Sequence, residues 1–121
     1  MGANIYPQDV EYGLYEGNPD ADKLAGFMLT LEESDELDRR PEVNLELREG
    51  VELDEDARQR MADTCRAGIV DHLLKVSRDF RQSVEEDAST LQIATHVHLY
   101  GHGPFAQGSH KIKKVYLRAD N

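Results

Sequence analysis

The 121-residue chain carries 24 acidic against 14 basic side chains, a formal net charge of −10, with 39% hydrophobic residues and no Trp. That size and composition suit one domain, residues 1–121, with a modest core, and a field of that sign repels phosphate backbones, which excludes general nucleic-acid binding. The single cysteine, Cys65, excludes an internal disulfide framework; no apolar run reaches the roughly 18 residues needed to cross a bilayer, and no basic-then-apolar leader is visible, so the chain reads as cytoplasmic with no membrane partner.

"NIYPQDVEYGLYEG" (4–17) predicts a short extended segment and then a helix. Pro7 suits a first helical turn, where a missing N–H costs nothing. Asp9 and Glu11 favour the positive end of the helix dipole. Val10 and Leu14, four apart, are expected to face the core, and Gly17-Asn18-Pro19 is a stop signal.

"KLAGFMLTLEE" (23–33) predicts a strand. Ala25, Phe27, Leu29 and Leu31 fall on one face and Leu24 and Met28 on the other, the pattern of an interior strand. After the polar turn "EESDELDRRP" (32–41), "EVNLELREG" (42–50) alternates cleanly. Val43, Leu45 and Leu47 point one way, Asn44, Glu46 and Arg48 the other. An antiparallel hairpin follows from the pair.

Asp54 is a helix cap, with Glu55 and Asp56 in the first turn. From there Met61, Cys65, Ile69, Leu73, Val76, Phe80 and Val84 recur every three or four residues, one buried stripe running to about residue 86 with a break expected near Ser77 or Ser83. "LQIATHVHLYG" (91–101) predicts a third strand, with His96 and His98 on the face opposite Ile93, Thr95 and Val97. A glycine-rich loop, "GHGPFAQGSH" (101–110), leads to a short final strand in "KIKKVYLRA" (111–119). The order predicts an α+β domain, a small and mainly antiparallel sheet packed with helices, for which a ferredoxin-like arrangement is the natural expectation.

Chemistry-bearing residues are few. His96, His98, His102 and His110 are imidazoles of the kind that take zinc or copper, but no carboxylate or cysteine completes a familiar ligand spacing, and no metal site is assigned. Cys65 sits on the apolar stripe and reads as a buried small residue rather than a nucleophile. No glycine-rich loop followed by Lys-Ser/Thr offers a phosphate cradle. That leaves "GSHKIKKVYL" (108–117), three lysines in four residues at the end of an acidic chain. A lysine after a glycine loop can reach out and neutralise a phosphate or carboxylate as a point charge; edge lysines also deter strand pairing.

The two ends of the chain together resemble the small C-terminal domain of adenylate-forming enzymes, most closely the phenylacetate–CoA ligase type. "GANIYPQDVE" (2–11) is similar to that domain's opening motif through Gly2, Ile5, Pro7, Val10 and Glu11, and "GSHKIKKVYL" is similar to its closing motif, where a catalytic lysine precedes an apolar-basic-basic run. The lysine in that place is Lys111. The family usually has glycine just before it; this chain has His110, with Gly108 two places earlier.

The resemblance implies a mobile lid of an AMP-forming acid–CoA ligase. Lys111 would assist adenylation of a carboxylic acid by ATP, and a lid rotation would then bring the Gly2, Ala3, Asn4 segment beside the coenzyme A tunnel. ATP, Mg²⁺, the acid and coenzyme A would be held by the N-terminal adenylate-forming domain of the same polypeptide, which this chain lacks, so none is expected to bind tightly here. The alternative is a free-standing ferredoxin-like module that binds a small ligand or regulates a partner.

Overall fold

The backbone enters its first helix, α1 (Pro7–Tyr15), at the predicted proline. A computed structural model describes residues 5–33, 39–106 and 115–117. Val10 and Leu14 are fully buried, as their spacing requires. Asn18 closes the helix end: its Nδ2 donates to the Leu14 carbonyl at 2.7 Å, and its Oδ1 accepts from the Asp20 amide at 2.9 Å.

Strands β1 (Leu24–Glu33) and β2 (Arg39–Leu47) form the expected antiparallel hairpin. Its register breaks between Leu24 and Gly26, so Ala25 is an extra residue on β1. A bulge of this kind resets the in–out alternation of its strand. Leu24 therefore joins Phe27 in the core beside the helices rather than sharing a face with Met28, which corrects the simple alternation read from the sequence. Beyond the bulge Phe27 lies opposite Leu45 on one face and Met28 opposite Asn44 on the other.

Helix α2 (Glu55–Val76) starts on Asp54, whose carboxylate accepts from the Ala57 amide at 2.8 Å. It ends at Ser77, one of the two expected breaks. Ser77 closes α2 through its own amide and opens α3 (Arg78–Glu86) through its hydroxyl, which accepts from the Phe80 amide at 3.1 Å. The break changes the phase of the apolar stripe. Met61, Cys65, Ile69, Leu73 and Phe80 are buried, whereas Val76, at the last position before the joint, is exposed.

A 3₁₀ turn at Ala88–Leu91 takes up the beginning of the expected third strand, so β3 is shorter than predicted, Ala94–His98. β4 (Val115–Leu117) completes a sheet of order β3-β2-β1-β4. β1 is antiparallel to both β2 and β4, and β3 is parallel to β2, so the sheet is mixed. The parallel pair is joined through α2 and α3, as a parallel connection requires. Phe27, Val43, Leu45 and Leu47 on one sheet face meet Met61, Cys65, Ile69 and Leu73 of α2 and Val10 and Leu14 of α1 in a single core.

Glycine brings α1 and α2 into close contact. A Cβ on Gly68 would lie 2.6 Å from the Gly13 carbonyl oxygen, and a Cβ on Gly13 would lie 2.7 Å from the Ile69 Cα. The helices thus cross backbone to backbone. Asp9 and Tyr12 extend the contact to His72, by an ion-pair distance of 3.4 Å and a ring stack at 4.3 Å. In an unencumbered helix Gly→Ala stabilises by about 1 kcal/mol. Gly68→Ala should do the opposite here, lowering stability by about 1–3 kcal/mol as the helices are forced apart. Chemical denaturation of the two proteins reads the sign directly; a gain in stability would refute the close crossing.

Candidate functional site

The face of the sheet turned away from α1 and α2 carries the chain's polar constellation. In-register pairing sets Glu42, Asn44 and Glu46 of β2 beside Ala94, His96 and His98 of β3. All point to that face because successive strand residues alternate. Asn44 is its centre. The residue is only 6% exposed, and a buried amide needs partners. Its Oδ1 lies 2.7 Å from His98 Nε2, so that nitrogen carries the proton and donates. Its Nδ2 donates to Glu42 Oε1 at 3.0 Å. The same carboxylate oxygen is 3.9 Å from His96 Nε2, and His96 itself is exposed.

The chain leaving β3 folds back onto this network. Gly101 and Gly103 take positive φ, 70° and 59°, a conformation that side chains disfavour. The Gly101 amide donates to Glu46 Oε2 at 2.9 Å. A 3₁₀ turn, Gly103–Phe105, then sets the Phe105 ring edge-on to His98, centroids 5.9 Å apart. A Cβ at Gly103 would come within 2.6 Å of His98 Nδ1, so only glycine fits against that imidazole.

His98 is thus engaged by its neighbours. The His98 ring is held on one side by Asn44 and covered on another by Gly103 and Phe105. Among the described residues, no group of three or more His, Cys, Asp or Glu is arranged to hold a metal ion. His102 is exposed on the turn. Lys111, Gly2, Ala3, Asn4 and His110 lie outside the described residues. What the sequence does not reveal is the network itself: alternation puts Asn44 and Glu46 on the face opposite Val43, Leu45 and Leu47, but the Asn44–His98 link depends on β2 and β3 being parallel neighbours in a particular register.

Cys65 is buried beneath α1, with Asn18 Nδ2 at 3.4 Å from its sulfur. Burial pushes the thiol up to about 11, the Asn18 contact opposes the rise, and the nearby Asp20 charge adds to it. A thiol so raised is not an activated nucleophile. The unfolded chain ionises it more readily than the folded one, so its stabilising effect is whole below about pH 9 and is lost as pH rises through about 11. Two results should follow: reaction with a thiol reagent near pH 8 slow in the native protein and fast after denaturation, and a stability that declines between those pH values more steeply than in Cys65→Ala. Rapid labelling of the native chain would contradict the burial.

No helix among the described residues is long and apolar enough to cross a membrane. No family profile, curated protein or solved structure matches the chain.

Proposed function

We propose that this domain is the mobile C-terminal lid of an AMP-forming acid–CoA ligase of the phenylacetate–CoA ligase kind, acting with an N-terminal adenylate-forming domain. The observation that carries the reading is the attachment of both motifs to the same small core. The opening motif runs straight into α1, whose Val10 and Leu14 are fully buried. The closing motif ends in β4, which pairs with β1 from Val115 to Leu117. A lid that must present two different segments to one partner site needs both on one rigid body. The helix–hairpin–helix–strand order within an α+β domain is consistent with this role, and the ferredoxin-like description belongs to the same proposal.

The chemistry asked of this chain is electrostatic. The attacking carboxylate and the α-phosphate of ATP are both anionic and repel. The ammonium of Lys111, brought between them on closure, neutralises the charge that builds at the point of attack. Orientation of the two anions supplies the rest. After adenylation, rotation withdraws Lys111 and brings Gly2, Ala3 and Asn4 toward the thiol path, where a glycine permits close approach of the pantetheine arm. The acid is chosen by a pocket in the partner domain.

The decisive experiment separates the two half-reactions in the full-length enzyme. Lys111→Ala should lower adenylation by about 100-fold or more, while thioester formation from a supplied acyl-adenylate stays near the wild-type rate. Equal loss of both steps would overturn the assigned role. The 121-residue chain alone should show no acyl-CoA synthesis; measurable turnover by it would overturn the lid reading.

A further inference from the structure

Among the described residues, four large hydrophobic side chains are more than half exposed: Tyr6, Tyr12, Val76 and Tyr100. Scattered singly, such residues are ordinary; gathered, they mark a contact surface. Three of the four gather on the α1–α2 pair. Gly13 meets Gly68 and Ile69, whereas Asp9, one turn earlier on α1, meets His72, one turn later on α2. The helices therefore run in opposing senses across the contact, and the Tyr6 end of α1 lies toward the Val76 end of α2. His72 and Val76, four apart, share a face of α2.

Tyr12 is the anchor of this patch. Its ring is stacked on His72 at 4.3 Å and 28°, and Asp9 holds His72 at 3.4 Å. One face of the ring is seated while the residue stays 52% exposed. An aromatic side chain fixed before contact loses little freedom on docking.

Charge decides against a second copy as the occupant. α1 carries Asp9 and Glu11 and no basic residue, Lys75 beside Val76 is already paired with Asp71 at 3.0 Å, and the whole chain has a net charge of −10. Two such surfaces repel each other. The patch fits an apolar surface with a basic rim. In the lid reading that surface belongs to the adenylate-forming domain, joined ahead of Gly2. Tyr6 is four residues past Gly2, so chain length alone keeps it within about 14 Å of the junction. A tether that short raises the effective concentration to about the millimolar range, where a few side chains suffice to dock a domain that must also leave.

We infer that Tyr6, Tyr12 and Val76 form the surface that seats this domain on the adenylate-forming domain in its thioester-forming orientation. The orientation follows from covalent connection: Tyr6 is two residues from Asn4, the last of the segment that the lid reading brings to the thiol path. The inference rests on that reading for the partner's identity; the patch itself stands on α1 and α2.

The test separates the two. In the full-length enzyme, Tyr6→Ser, Tyr12→Ser and Val76→Ser together should lower thioester formation from supplied acyl-adenylate by about 10-fold and leave adenylation unchanged, the mirror image of Lys111→Ala. Tyr6→Ser with Val76→Ser, which keeps the Tyr12–His72 stack, should give about a threefold fall with an unchanged melting temperature. Tyr100→Ser, at a similarly exposed residue in the turn after β3, should alter neither half-reaction. Wild-type thioester formation in the triple variant, beside a crippled Lys111→Ala, would overturn the docking surface and leave the lid reading standing. An equal fall in both half-reactions, or an equal effect of Tyr100→Ser, would overturn it too. Unimpaired adenylation in Lys111→Ala would instead overturn the lid reading. The 121-residue chain should sediment as a monomer; a dimer that the triple variant loses would give the patch to a second copy and overturn the assignment.

Discussion

The contact between Gly13 and Gly68 governs how the domain closes. Two helices can approach to backbone distance only where neither carries a side chain, and at that crossing a single methyl group has no room. The close approach lets α1, a helix of nine residues, bury Val10 and Leu14 completely beside Cys65, Ile69 and Leu73. Isolated helices of that length are marginal in water, so α1 depends on tertiary packing for its existence. Its position in turn sets where Ile5, just ahead of Pro7, packs against the core.

The sheet divides the molecule into two environments. One face is apolar and covered by helices. On the other, Asn44 and its partners form a polar chain beneath the connector from β3. The division follows from strand alternation, and the Ala25 bulge keeps it intact at the end of β1 by returning Leu24 to the apolar side. The parallel pairing of β2 with β3 brings His98 within reach of Asn44, a partnership between residues far apart in sequence that neither strand specifies alone.

Much of this fold is legible in the sequence wherever a local rule decides. Pro7, the Asp54 cap, the hairpin and the Ser77 break all rest on neighbouring residues and appear where expected. The shortfalls are nonlocal. Val76 fits the helical period but ends up exposed, because the Ser77 hydroxyl opens a new helix in a new phase. Gly13 and Gly68 look like ordinary weak points in helices; their use emerges only when the two helices meet. Asn44 reads as an outward polar residue until β3 arrives beside it. The Asn44–His98 and Glu46–Gly101 contacts depend on strand register, which periodicity does not encode.

The joint at Ser77 divides the helical layer into parts of unequal strength. α2 buries Met61, Ala62, Cys65, Ile69 and Leu73, whereas α3 buries Phe80 alone. A serine that caps both sides lets each helix keep its own hydrogen bonds when the other opens. Under rising denaturant, α3 and the 3₁₀ turn behind it have less buried surface to lose than α2, and they would come away as a partial opening while α2 remains seated on the sheet. The protein would then pass through a state that keeps its central core but has loosened the segment leading into β3, the strand that carries His98.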